Sequence, residues 1–123
     1  MGIQFDFERL EVWQKAVKFA VKVISLMEGI EGTRRHFRLL EQIEASSTSV
    51  ASNISEGKGR RSDKEYVQFL FIARGSLFET ISQLEVCRQM GWIAEGDFET
   101  TKSSAFEITK MLNALITSIR KRN

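Results

Sequence analysis

The chain has 123 residues, of which 42% are hydrophobic and 28% charged, with a formal net charge of +2. That is one domain's worth of sequence, long enough to bury roughly two thirds of its unfolded surface. With so small a net charge, any nucleic-acid reading must rest on where the cations lie and not on their sum. Proline is absent, which suits a chain that is nearly all helix with short turns. The single cysteine, Cys87, excludes an internal disulfide and fits a reducing, cytoplasmic setting. No apolar run approaches the ~20 residues that a membrane-spanning helix needs.

The expected helices cover about 8–28, 34–56, 63–90 and 95–120. Residues 1–7 form a lead-in whose Phe5 and Phe7 are available to pack. In the first helix Leu10, Trp13, Val17, Ala20, Ile24 and Met27 recur at three- and four-residue steps and make one inward stripe. Val12, Ala16, Phe19 and Val23 make a second stripe beside it, wider than packing on one neighbour requires. Glu28 to Thr33 reads as a turn with Thr33 as helix cap. The second helix carries Leu40, Ile43, Val50 and Ile54. Its middle, Ala45 to Ser52, is nearly all small side chains that let another helix approach closely, with a Ser/Thr-rich linker as the alternative.

The stretch Asn53 to Glu65 reads Asn-Ile-Ser-Glu-Gly-Lys-Gly-Arg-Arg-Ser-Asp-Lys-Glu. Gly57 and Gly59 suit a helix C-terminus and turn through their access to positive φ. Ser62 with Glu65 is a capping box: the hydroxyl accepts from the third backbone N–H and the carboxylate reaches back to the cap. The third helix turns Tyr66, Phe69, Leu70, Ala73, Leu77, Leu84 and Cys87 inward, with Val67, Phe71 and Phe78 on another side. Gly75, in mid-helix, is expected to mark a close backbone approach. Gly91 ends the helix, and Trp92 and Ile93 fold back as an apolar plug. The fourth helix has the stripe Phe98, Thr101, Ala105, Ile108, Leu112, Leu115 and Ile119.

Four such helices with short turns imply an all-α, up-down-up-down antiparallel four-helix bundle. That topology puts Lys58, Arg60, Arg61 and Lys64 at the same pole as Arg120, Lys121 and Arg122. Asp6, Glu8, Glu11, Glu56, Asp63 and Glu65 offset them in part. Such a cluster suits phosphate-backbone contact, which needs charge and no particular sequence; the alternative is solvated helix ends. A smaller basic group, Arg34, Arg35, His36 and Arg38, marks the opposite pole. The double stripes place Val12, Phe19, Phe71 and Phe78 at an interface between copies, against the alternative of a wide core face.

Catalytic chemistry finds little support. The only histidine, His36, has no Glu three residues before it, so the bundle di-metal pattern is missing and neither metal nor cofactor is expected. A Cys87–His36 pair is disfavoured because Cys87 lies on the core stripe. Gly57-Lys58-Gly59 lacks the spacing of a phosphate-binding P-loop.

Ser52 to Tyr66, Phe69 to Glu79 and the opening Phe7-Glu-Arg-Leu-Glu-Val-Trp-Gln-Lys-Ala16 resemble the bacterial proteins encoded by intervening sequences of 23S ribosomal RNA genes. The resemblance covers nearly the whole chain. It departs in the turn between helices 1 and 2, which lacks that family's frequent proline, and at Ser55, where alanine is usual. It implies a homo-oligomeric, pentameric ring of four-helix bundles without established enzymatic activity. A related group assists reverse transcriptases of diversity-generating retroelements. The matching positions include Asn53, Glu56, Arg60, Arg74 and Glu79. Arg60 and Arg74 are the first candidates for a partner contact, with pairing of Arg74 to an acid across helices as the alternative. The leading expectation is a non-enzymatic, RNA- or ribosome-associated oligomer contacting phosphate through its basic pole. The alternatives are a protein-interaction scaffold, such as a polymerase accessory, and a protein that binds a small ligand in a cavity.

Overall fold

The computed structural model describes residues 2–30 and 36–122. Thr33, Arg34 and Arg35 lie outside the described residues. Four α-helices follow a short 3-10 turn, Asp6–Arg9: α1 (Glu11–Glu28), α2 (Phe37–Lys58), α3 (Asp63–Gln89) and α4 (Glu95–Lys121). The described residues contain no strand. The helical stretch at the chain start is divided because Leu10 is extended, at φ −71° and ψ 119°. The 3-10 turn before it is held by the Phe5 N–H, which donates to the Glu8 carboxylate at 2.7 Å.

Each helix contacts two others: α1 with α2 and α4, and α3 with α2 and α4. Side-chain pairs fix their directions. The Ser46 and Thr80 hydroxyls lie 2.7 Å apart and those of Ser49 and Ser76 2.9 Å apart, so α2 and α3 run opposite ways. Lys15–Glu107 and Lys22–Asp97 do the same for α1 and α4, and Arg74–Asn113 with Arg122–Asp63 for α3 and α4.

The core face of α1 is Val12, Ala16, Phe19, Val23 and Met27. Val12 is 5% and Phe19 2% exposed within the protomer, so neither has surface left for a second copy. This corrects their assignment to an interface: α1 packs on two neighbours and needs the wide face, while Leu10 and Trp13 form its partly buried shoulder. Val67 likewise joins the core.

The Ser/Thr-rich middle of α2 is helix, not linker. Ser46, Ser47 and Thr80 are buried, and each hydroxyl donates to, or lies against, a nearby oxygen, so small side chains shorten the interhelical distance without leaving orphaned polar groups. The tightest point is Gly57, which lies inside α2. A Cβ there would stand 2.8 Å from Phe69 Cβ and 3.1 Å from Tyr66 Cδ1. Gly57 and Gly59 therefore do not serve through positive φ: Gly59 caps α2 at φ −86°. Among the described residues the left-handed glycine is Gly91, at φ 75°. There the Gly91 N–H donates to Arg88 O and the Trp92 N–H to Cys87 O, the paired bonds of a Schellman motif. Gly75 is exposed, and an added Cβ would meet nothing within 4 Å, so it marks no close approach among the described residues.

Gly57→Ala gains helix propensity but forces a methyl into the α2–α3 contact. A net loss of about 1–2 kcal/mol is expected, read as a lower denaturant midpoint at fixed protein concentration. An unchanged or higher midpoint would show that the contact has slack.

Candidate nucleic-acid interface

The basic pole is assembled from three chain segments. Lys58 is the last residue of α2, and Gly59 to Ser62 form the turn. That turn closes on the Ser62 hydroxyl, which accepts from the Glu65 N–H at 3.2 Å. The Glu65 carboxylate accepts from the same hydroxyl at 3.3 Å and does not reach back to the cap N–H. Lys64 stands in the first turn of α3, while Arg120 and Lys121 end α4. The third segment reaches the second through Arg122, whose Nε and Nη2 donate to the two Asp63 carboxylate oxygens at 2.9 and 2.8 Å. This two-pronged bond joins residues 59 positions apart and ties the end of α4 to the start of α3.

Three of the other six cations lie over rings and not against acids. Arg60 stacks on Phe69 with its guanidinium carbon 4.5 Å from the ring centre, and Lys58 lies 5.9 Å from that of Tyr66. Arg120 sits over Phe71 at 5.2 Å and shares a depression of about 480 Å³ with Lys64, Val67 and Gln68. Stacking holds a guanidinium in place while leaving its charge uncompensated. Of the seven cations, Arg122 alone forms an ion pair among the described residues. Tyr66, beneath them, is buried, and its hydroxyl has no hydrogen-bond partner among the described residues. Burial pushes its phenol above the ordinary value, against the opposing field of Arg122.

Among the other expected positions, Asn53 is turned back on its own helix, donating to Ser49 O at 2.8 Å and Ser49 Oγ at 2.9 Å. Glu56 and Glu79 are exposed. Among the described residues Arg74 pairs with no acid: Nη1 donates to Asn113 Oδ1 at 2.8 Å, and its guanidinium lies 4.8 Å from the Phe71 ring centre and 5.8 Å from that of Phe78. Phe71 is half-buried beneath Arg74 and Arg120, whereas Phe78 is 53% exposed. Sequence reasoning missed Arg9, an exposed cation in the 3-10 turn that packs against α1 and α2. It also missed Ile72 and Val86, each 51% exposed on the outer side of α3.

The opposite pole is marked by His36, whose ring centre lies 4.4 Å from that of Trp92. Cys87 is fully buried, and burial raises its thiol pKa, which disfavours a nucleophilic thiolate. Among the described residues no group of three or more His, Cys, Asp or Glu side chains is placed to hold a metal ion. No described helix is long and apolar enough to cross a membrane.

The fold and the pole define an all-α protein of four long helices with a largely uncompensated basic end. Residues 8–114 match the family described as 23S rRNA-intervening sequence protein, and the chain belongs to that family. A similar solved structure is the crystal structure of a protein of unknown function from the S23 ribosomal protein family of Bacteroides thetaiotaomicron VPI-5482. It is 28% identical with a TM-score of 0.79, over 85% of this chain and 97% of that one. No curated protein matches. Neither description names an enzyme.

Proposed function

We propose that this chain is a non-enzymatic, RNA- or ribosome-associated protein, an up-down-up-down bundle whose basic pole contacts phosphate. The observation that carries this reading is the convergence of Lys58, Arg60, Arg61 and Lys64 with Arg120, Lys121 and Arg122, among which one ion pair forms. Phosphate contact needs charges that are clustered, exposed and not already neutralised by carboxylates. The family's name, with its reference to 23S rRNA, supports the same partner class.

Self-association into a ring, a pentamer by family resemblance, is the second part of the proposal. Its support is the outer side of α3. Ile72 and Val86 stand exposed there, Gly75 between them offers open backbone, and Glu79 is the one charged residue among the exposed positions from Gln68 to Gln89, Arg74, Glu85 and Arg88 being half-buried. A helix face so poor in charge is unusual against water. Its glycine, which packs on nothing among the described residues, suits the close approach of another helix.

Two measurements test these readings. The variant Lys58→Glu/Arg60→Glu/Arg61→Glu, all at exposed positions, should bind a structured 23S rRNA fragment at least about tenfold more weakly than wild type. Its salt dependence should also be flatter, since each lost phosphate contact removes about 0.7–0.9 from the slope. Equal affinity and equal slope would refute the pole. Ile72→Lys/Val86→Lys should reduce the mass measured by light scattering to that of smaller species; an unchanged mass would refute the α3 interface.

A further inference from the structure

The groove between α3 and α4 holds two depressions, one at the pole and one farther along the helices, and their linings hold both rings and cations. At the pole end Phe71 lies under Arg120 and Arg74. Arg74 then bridges the groove to Asn113. Beyond that bridge a depression of about 250 Å³ is floored by Leu77, Ile81 and Ala105 and flanked by Phe78 and Phe106. Phe78 is 53% and Phe106 64% exposed, so both rings offer a face to solvent. Lys110 lies 5.0 Å from the Phe106 ring centre, and Lys102 lines the same depression. Arg74, Lys102, Lys110 and Arg120 have no carboxylate within ion-pair distance among the described residues. The nearby acids are few. Glu107 is held by Lys15 and Asp63 by Arg122. Glu85, which is within the field of Lys102, is held by Arg88, and Glu99 lines a neighbouring depression with Lys102 and Phe106 without pairing to a cation among the described residues.

From this combination we infer that the α3–α4 groove holds an unpaired RNA segment, its bases stacked on Phe78 and Phe106 and its phosphates on Arg74, Lys102, Lys110 and Arg120. The inference rests on the reading of this chain as RNA-associated and extends it from phosphate contact to single-strand capture. Single-strand sites elsewhere combine these two elements, exposed aromatic faces and a cationic track. Along α4 the track from Lys102 to Arg120 spans 18 residues, about 27 Å by helix rise, room for several nucleotides. A second copy placed face to face on this groove would oppose its four uncompensated cations to themselves. A polyanion neutralises them.

The test compares a labelled, unstructured oligouridine of about 12 nucleotides with a blunt RNA hairpin. Phe78→Ala/Phe106→Ala should weaken oligouridine binding at least about tenfold and leave hairpin binding unchanged. Phe37→Ala, which removes an equally exposed ring from α2, should change neither. If wild type fails to bind oligouridine at low salt, or the double variant binds it as wild type does, the groove proposal is overturned even where the hairpin still depends on Lys58, Arg60 and Arg61. If oligouridine binding depends on Phe78 and Phe106 while the hairpin does not bind at all, the groove stands and the pole reading fails. Loss of oligouridine binding together with a fall in the assembly's mass would place the groove between copies and overturn the proposal.

Discussion

The close approach of α2 and α3 is the constraint on which the rest of the structure depends. Gly57 lies against Phe69 and Tyr66, and further along the contact Ser46, Ser49, Ser76 and Thr80 replace large apolar side chains with hydroxyls that partner one another. A helix pair packed through such small residues gains little apolar burial per residue and must satisfy every polar atom it buries. The hydroxyls of the Ser/Thr run do this, largely through bonds back to their own carbonyls, whereas the Tyr66 hydroxyl at the Gly57 end of the seam has no partner among the described residues. Because the helices are already close where α2 ends, a connection of four residues, Gly59 to Ser62, suffices between them. That short turn concentrates Lys58, Arg60, Arg61 and Lys64 in seven residues, and the Arg122–Asp63 bond brings the end of α4 beside them.

The charge arrangement follows from the same economy of space. Phe69, which packs against Gly57 of α2, and Phe71, on the α4 side of α3, carry Arg60, Arg74 and Arg120. Cations held over rings remain available to an anion, while cations held by carboxylates do not. The pole and the α3–α4 groove meet at Phe71 and Arg120, so the two proposed RNA contacts form one continuous surface. The weakly charged outer side of α3 lies beside that surface and would remain free to meet another protomer.

Hydrophobic period and turn chemistry made the helices legible, including α2 across its Ser/Thr run, where Val50 and Ile54 keep the apolar spacing. The inner stripe of α4 was legible for the same reason, except that Ile116 and not Leu115 is the buried residue in its last turns. Faces were harder. The two stripes of α1 lie about 100° apart, and nothing local says that α1 faces two neighbours, so Val12 and Phe19 looked like surplus apolar surface. Glycines misled in the same way. Gly57 has a steric role set by residues of the next helix, and Gly75, expected in a tight contact, faces open space. The convergence of cations followed from helix lengths alone. What neutralises or holds them did not, because Asp63, Phe69 and Asn113 reach their arginines across helix boundaries and no sequence spacing encodes that contact.

In the proposed function the α2–α3 turn and the end of α4 form a single phosphate-contacting surface. Amide hydrogen exchange of the intact protein, with and without a structured 23S rRNA fragment at low salt, tests this. Slower exchange on RNA binding is expected in residues 57–66 and 119–122 together, with no change near His36 or Trp92 at the opposite pole. Protection confined to that opposite pole, or present in one of the two segments without the other, would contradict it.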